Sequence, residues 1–218
     1  MAGTTVEDRD NVHEAFINSM KKSGYAITRD DANSVMGMPK PAAISQLLNR
    51  KFGVANTQTL TEKIHRAFVH EMIEFYKTDA GVKSKPNTEE TFRQLKGLGV
   101  KVVIDTGFSR DIANAIIERL KWNENALIDF SVTSDEVANG RPYPDMVFHA
   151  MKHMGITDAA EVAKVGDTSS DMEEGTTAGC KYVIGVTTGA YSAEEMKNTR
   201  HTHLVADLSE IIPIITEQ

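Results

Sequence analysis

The sequence lacks the features of disulfide-rich and membrane-spanning proteins. It has one cysteine, Cys180, so a disulfide within the chain is excluded. Aromatic residues make up only 6% of the chain, and no apolar run approaches the roughly 20 residues that a transmembrane helix needs. The N-terminus also shows no signal-peptide pattern. We therefore expect a cytoplasmic protein in a reducing compartment.

An excess of positive charge is also missing. Lysine and arginine number 24 against 31 aspartates and glutamates, and the formal net charge is -7. A chain of this charge has no electrostatic reason to approach nucleic acid or anionic lipid, so we expect a small-molecule ligand, no nucleic-acid partner and no membrane partner. With 218 residues, 40% of them apolar, the chain can bury the core of one domain that carries a smaller insert.

The first third of the chain carries helix signals. Apolar residues recur at helical spacing from residue 10 to about 22, and again from about 59 to 76. Two shorter helical patterns lie between these ranges, on either side of the segment Met36-Gly-Met-Pro-Lys-Pro41. We interpret residues 10–80 as an all-helical unit.

Strand and helix signals alternate after residue 81. The apolar runs that predict buried strands lie at residues 100–104, 127–132, 162–165 and 182–186. Alternation of this kind implies βαβ units and an α/β fold with a doubly wound, Rossmann-like parallel sheet. Residues 1–9 and 81–218 would form this core domain, and residues 10–80 would form a helical cap over one end of the sheet.

Three polar loops lie at residues 105–109, 139–144 and 166–171, each between a predicted strand and the helix that follows it. Because the carboxyl ends of parallel strands meet at one edge of a sheet, we expect these loops to come together. Thr106 offers a hydroxyl group, and Gly107 lets backbone N–H groups approach an anionic oxygen. Arg141 supplies a cation, while Asp167 and Asp171 supply the oxygen ligands that Mg²⁺ prefers. Such a set neutralises charge on a transferring phosphoryl group, although the two aspartates could instead cap a helix.

With these loops, essentially the whole chain resembles the haloacid dehalogenase (HAD) superfamily, and within it the phosphonoacetaldehyde hydrolases, or phosphonatases. Thr106-Gly107 matches the second motif of the superfamily, and Gly140-Arg141-Pro142 matches the third in the form that phosphonatases use. The fourth motif is matched by Gly166-Asp-Thr-Ser-Ser-Asp171. Met1-Ala-Gly-Thr4 matches the first motif, Asp-x-Ala-Gly-Thr, after its aspartate.

The resemblance implies a Mg²⁺-dependent hydrolase that acts on a small phosphorylated or phosphonate substrate. It assigns roles to nine residues, in three groups. The metal ligands would be Ala2 through its carbonyl oxygen, Asp167 and Asp171; the catalytic residues would be Lys40, Thr106 and Arg141; further substrate contacts would come from Thr4, Gly107 and Met36.

Lys40 is the residue that most clearly separates phosphonatases from other members of the superfamily. Phosphonatases carry a cap lysine after a Met-Gly pair, and the segment from Met36 to Lys40 has this spacing. Such a lysine forms a Schiff base with a substrate carbonyl, and the resulting cation draws electrons from the carbon–phosphorus bond. Ala2 stands where typical phosphatases have an aspartate that acts as general acid and base. The resemblance therefore implies that Lys40 takes over this role. Ala43 stands where phosphonatases tend to have a proton-carrying histidine, so a related carbonyl-containing phosphonate or phosphate is also a candidate substrate.

The main departure from the family pattern concerns the nucleophile. In the superfamily an aspartate at the end of the first strand attacks phosphorus and forms an aspartyl-phosphate. The alignment places this aspartate one residue before Met1, so the sequence as printed contains neither the aspartate nor its central strand. We expect Met1 to be an internal methionine of a native protein that begins several residues earlier.

Two other functions stay open. The first is a phosphate-monoester phosphatase of the same superfamily, in which Lys40 only contacts the substrate. The second is a catalytically inactive binding or regulatory protein that begins at Met1. A nucleophilic role for Asp105, at the end of a predicted strand, is a weaker alternative, as is zinc binding by His149 and His153, which have no evident third ligand.

The resemblance also bears on assembly. Phosphonatases tend to pair through their caps, so a homodimer is implied for this chain. The apolar helix around Phe68 and Phe75 is the candidate contact surface.

Overall fold

The computed structural model describes residues 1–8 and 10–216. In these residues the chain forms ten α-helices and five β-strands. Residues 9, 217 and 218, which belong to the predicted core domain, lie outside the described residues. Among the described residues, none of the helices combines the length and the apolar character that crossing a membrane requires.

The described residues between 10 and 80 form helices and no strand. These helices are α1 (Asn11–Lys22), α2 (Arg29–Asn33), α3 (Lys40–Phe52) and α4 (Gln58–Thr78). Their apolar faces pack on one another: the rings of Phe16 in α1 and Phe68 in α4 meet edge to face, with centroids 6.2 Å apart. Both side chains are fully buried. That this unit is a separate cap domain stays a prediction.

Helices and strands alternate in the rest of the chain. In order, they are α5 (Thr88–Gly97), β1 (Val103–Thr106), α6 (Arg110–Arg119), β2 (Phe130–Thr133), α7 (Asp145–Met154), β3 (Ala163–Gly166), α8 (Ser169–Ala178), β4 (Tyr182–Val186), α9 (Ala193–Lys197), β5 (His203–Val205) and α10 (Ile211–Thr216). Every pairing between these strands is parallel. The predicted α/β class with a parallel sheet is therefore confirmed.

The first strand of this region begins later than the sequence predicts. The apolar run starts at Val100, but β1 begins at Val103. Gly99 has φ +79°, and the N–H of Val100 donates to the carbonyl of Leu95 at 3.0 Å. This bond closes the carboxyl end of α5, so Val100 belongs to the helix cap instead of the strand.

The strands form two separate sheets, with β1 beside β2 and with β4 between β3 and β5. A cavity of about 430 Å³ lies between the sheets, lined by mostly apolar side chains from both, among them Ile104 of β1 and Val165 of β3. Met1 also lines this cavity.

The helices of the first unit contact the loop that follows β1. Tyr76 of α4 is fully buried, and its ring lies edge-on to that of Phe108, with centroids 6.2 Å apart. Phe108 comes directly after Thr106-Gly107. The contact therefore places the helical unit over the carboxyl end of β1.

Candidate active site

A small cavity at the carboxyl ends of β1 and β3 brings most of the predicted site residues together. Eight of the nine line it: Ala2, Met36, Lys40, Thr106, Gly107, Arg141, Asp167 and Asp171. The ninth, Thr4, donates a hydrogen bond from Oγ1 to Asp167 Oδ1 at 2.5 Å. The sequence thus predicted which residues meet, while their chemical roles stay predictions.

Asp167 is buried and carries negative charge that no side chain neutralises directly. Its Oδ1 accepts from Thr4, and its Oδ2 accepts from the backbone N–H of Ala190 at 2.7 Å. No lysine or arginine among the described residues forms an ion pair with it. Burial, together with the nearby charge of Asp171, raises the pKa of Asp167 above its usual range.

Asp171 both caps a helix and faces the cavity. Its Oδ2 accepts from Thr168 Oγ1 at 2.6 Å, and together the two residues form the capping box at the start of α8. Its Oδ1 pairs with Arg141 Nη1. Burial alone would raise the pKa of Asp171, but the charges of Arg141 and Lys164 outweigh it and hold the pKa below its usual range.

A buried ion-pair network beside the cavity was missed at the level of sequence. Lys164 in β3 lies 2.5 Å from Asp105 Oδ2, pairs with Glu174, and lies 3.4 Å from Asp171 Oδ1. The sequence signal that could have revealed the network is a lysine within an apolar strand. A buried ammonium group of this kind needs buried partners. Burial and the charge of Asp105 raise the pKa of Glu174 to about 8.

This network also contains a second possible metal position. The carboxylates of Asp105, Asp171 and Glu174 lie close enough together to hold an ion. The ammonium group of Lys164 already lies among them. Asp167 has no such cation, so the predicted set of oxygen donors from Asp167, Asp171 and the Ala2 carbonyl stays the candidate for Mg²⁺.

Lys40 is the first residue of α3 and is only 5% exposed. Its Nζ lies 3.7 Å from Met36 Sδ, and 5.3 and 5.6 Å from the ring centroids of Phe16 and Phe68. The rings attract an ammonium group, but the same apolar walls remove its hydration. Burial first, and the charge of Arg141 second, lower the pKa of Lys40 to about 8. The amine of Lys40 therefore loses its proton at a lower pH than an ordinary lysine does.

Glycines let the loop that carries Lys40 approach the polar loops of the core. A Cβ atom on Gly37, which has φ +85°, would lie 2.5 Å from Thr168 Oγ1. A Cβ on Gly140 would lie 2.4 Å from Pro39 Cγ, and one on Gly107 would lie 3.2 Å from the carbonyl oxygen of Gly37. The loop therefore contacts all three of the predicted phosphate and metal loops.

Two titratable residues that the sequence did not single out, Asp8 and His13, line the same cavity. His13 lies on the buried face of α1, where its spacing resembles that of an ordinary core residue. Nothing in the local pattern marks it as functional. Its position becomes evident only when α1 and α3 are brought together.

The histidine pair on α7 lies elsewhere. His149 and His153 stack on the ring of Phe130, with centroids 5.9 and 3.8 Å away. In the described part of the chain, the carboxylates around Lys164 form the one close group of three or more His, Cys, Asp or Glu side chains, and neither histidine belongs to it.

Comparison with known proteins identifies the class. A family model described as haloacid dehalogenase-like hydrolase matches residues 1–186. The chain is 30% identical over 228 residues to a phosphonoacetaldehyde hydrolase of Bacillus cereus, covering 98% of this chain and 83% of that protein. It is also 30% identical over 225 residues to a bifunctional phosphonoacetaldehyde hydrolase/aminoethylphosphonate transaminase of Clostridioides difficile, covering 95% of this chain but only 34% of that protein.

Solved structures agree on the fold. A hydrolase from Pseudomonas syringae superposes with a TM-score of 0.87 at 20% identity, covering 99% of this chain and 95% of that one. A phosphonoacetaldehyde hydrolase-like protein from Oleispira antarctica gives 0.81 at 20% identity, covering 99% and 89%. The family model and the relatives at 30% identity define a hydrolase. The chain belongs to the haloacid dehalogenase-like hydrolase family.

Proposed function

We propose that this hydrolase cleaves the carbon–phosphorus bond of phosphonoacetaldehyde, or of a related carbonyl-containing phosphonate or phosphate, through a Schiff base at Lys40. One observation carries the proposal: a buried lysine with a lowered pKa lines the same cavity as Arg141 and Asp167. The relatives at 30% identity that are named phosphonoacetaldehyde hydrolase support it.

Lys40 would carry out the reaction at the carbonyl group of the substrate. Its neutral amine attacks the aldehyde carbon, water leaves, and a protonated imine forms. When the carbon–phosphorus bond breaks, its electron pair moves into this imine and gives an enamine. Hydrolysis of the enamine then releases acetaldehyde and frees Lys40 for another turnover.

The loops of the core would bind the phosphoryl group. Thr106 and the backbone N–H groups around Gly107 would bind its oxygens, together with Arg141, whose Nε has no hydrogen-bond partner in the described structure. Mg²⁺, when bound by Asp167, Asp171 and the Ala2 carbonyl, would neutralise further charge on these oxygens. The acceptor of the phosphoryl group would be the aspartate expected before Met1, and the intact mass of the native protein tests that expectation.

Product analysis tests the proposed reaction. Native protein with Mg²⁺ should release phosphate and acetaldehyde in equal amounts from phosphonoacetaldehyde, and Lys40→Arg, which keeps the charge but cannot form the imine, should release neither. Phosphate release from monoesters that is equally fast in both proteins would instead support the monoester phosphatase. Release of nothing from either class by a native protein that begins at Met1 would support a binding or regulatory role.

The structure leaves fewer candidate contact residues for the proposed homodimer than the sequence suggests. Phe68 is fully buried against Phe16, so it cannot contact a second copy. Phe75 is only partly buried and remains a candidate contact. Sedimentation of the native protein measures its oligomeric state and so tests the homodimer. We also propose a cytoplasmic location, which cell fractionation tests.

A further inference from the structure

We infer that His13 is a further catalytic residue of this site, whose imidazole carries protons between the nitrogen of Lys40 and the carbonyl oxygen of the substrate. The inference rests on the proposed function, because it concerns the imine at Lys40. It adds a residue that imine formation needs and that Lys40 cannot replace, since the lysine nitrogen is itself the nucleophile.

Helix α1 brings His13 to the same cavity as Lys40. His13 is 5% exposed and lines the cavity that Lys40 lines. Phe16 follows it by three residues and therefore lies on the same face of α1. The ring of Phe16 lies 5.3 Å from Lys40 Nζ, so this face of α1 forms the wall against which the amine packs.

The hydrogen bonds of His13 leave one nitrogen free for proton transfer. Its Nε2 lies 2.7 Å from the amide oxygen Oδ1 of Asn33, the last residue of α2. Because this oxygen only accepts, Nε2 carries the hydrogen of the neutral imidazole, and Nδ1 keeps a lone pair. Nδ1 is buried and has no hydrogen-bond partner. An unpaired buried acceptor is costly for folding alone, whereas it suits a general base.

The carboxylates that line the cavity already accept hydrogen bonds from other groups. Asp167 accepts from Thr4 and Ala190, and Asp171 is held by Thr168 and Arg141. Asp8 accepts from the N–H of Val12 at 3.3 Å.

The proposed step balances as follows. The lysine nitrogen bonds to the carbonyl carbon, and the carbonyl electron pair moves to oxygen. His13 Nδ1 takes one proton from the nitrogen and delivers it to this oxygen, which gives a carbinolamine. A second proton, taken up from solvent through the same imidazole, protonates the hydroxyl group. The carbon–oxygen bond then breaks, water leaves, and the nitrogen lone pair forms the carbon–nitrogen double bond of the protonated imine.

The test measures how fast borohydride traps phosphonoacetaldehyde on Lys40. His13→Gln is the key variant, because its amide nitrogen can still donate to Asn33 while no base remains at the position of Nδ1. We expect trapping to slow by about 100-fold, the lower range for loss of a general base. His149→Gln, on the exposed part of α7, should trap at the wild-type rate.

Chemical rescue separates catalysis from structure. His13→Ala leaves space in the cavity, and added imidazole should restore its trapping rate but should not restore Lys40→Arg. Trapping in His13→Gln at the wild-type rate would overturn the inference and leave the proposed function intact. Slow trapping in His13→Ala that imidazole does not restore would also overturn it, because a structural role explains that result. A wild-type protein that traps no substrate would instead remove the proposed function itself.

Discussion

Lys40 shows how one buried side chain acquires reactivity from its surroundings. Two aromatic rings attract its ammonium form, while the loss of hydration and the charge of Arg141 oppose that form. Its position at the start of α3 adds to the opposition, since the amino end of a helix carries partial positive charge. The opposing effects prevail, and the pKa falls from 10.5 to about 8.

This lowered pKa predicts the pH dependence of imine formation. Only the neutral amine attacks a carbonyl, so the trapping rate should rise about tenfold per pH unit below the pKa and level off above it. The bend should lie near pH 8, the pKa of Lys40 in the folded protein. Borohydride trapping from pH 6 to pH 10, quantified by mass, checks this. A bend near the ordinary pKa of lysine would contradict the account.

Asp167 and Asp105 allow the metal position to be tested. Saturating Mg²⁺ should raise the melting temperature of the wild-type protein, since a ligand at 100 times its dissociation constant stabilises the folded state by about 2.7 kcal/mol. Asp167→Asn should lose this shift, and Asp105→Asn should keep it because Asp105 is held by Lys164. Thermal unfolding with and without Mg²⁺ measures both. The reverse pattern would place the ion in the carboxylate group around Lys164.

The buried network predicts a stability difference between two lysines. Lys164→Met should cost about 3–5 kcal/mol, because it leaves buried carboxylates without their cation. Lys197→Met removes an exposed pair with Glu194 and should cost less than about 1 kcal/mol. Urea unfolding at pH 7 compares them, and equal costs would show that Lys164 has little structural role.

At the scale of elements, the loop between α2 and α3 is the part that joins the two halves of the site. Gly37→Ala should disturb it in two ways: it strains a residue with φ +85° and brings a Cβ to 2.5 Å from Thr168 Oγ1. Gly53→Ala is the matched control, since Gly53 has φ +65° at the end of α3 with open space around it.

Both glycine variants should therefore lose stability of about 1 kcal/mol from backbone strain. Only Gly37→Ala should also slow borohydride trapping at Lys40, because it moves the loop away from Thr168. Trapping rates normalised to the folded fraction, determined by circular dichroism, make the comparison. A similar slowing in both variants would mean that the close approach at Gly37 does not position the lysine.

Elements with strong periodicity were predictable from the sequence, and their ends were not. The helices of residues 10–80 and the alternation after residue 81 follow from apolar spacing. Val100 continues an apolar run, yet its N–H closes the cap of α5, because a helix end competes with a strand for the same backbone group. Such competition depends on Gly99 and is invisible to a count of apolar residues.

At the scale of the whole molecule, the site residues too were only partly predictable from the sequence. Eight of the nine predicted residues meet in one cavity, and they were recognised from motifs near strand ends and from the segment between Met36 and Lys40. Lys164 and His13 were missed because each lies within a regular element, where an isolated polar residue resembles a tolerated core position. Their partners come from distant parts of the chain: Asp105 for Lys164, and Asn33 for His13.

The whole molecule functions, on this account, by placing one reactive amine of the helical unit over the phosphate loops of the core. The edge contact between Tyr76 and Phe108 and the close approaches at Gly37, Gly107 and Gly140 hold the two parts together. The lysines of the chain should therefore not be equivalent toward an aldehyde. Lys40 should react where the exposed lysines do not.

The most direct measurement of this claim is the site of reduction by borohydride in the presence of phosphonoacetaldehyde. Peptide mapping by mass spectrometry should find the reduced adduct on the peptide that contains Lys40, in near-equal amount to the protein, and should find none in Lys40→Arg. An adduct spread over exposed lysines, or no adduct at Lys40, would contradict the account.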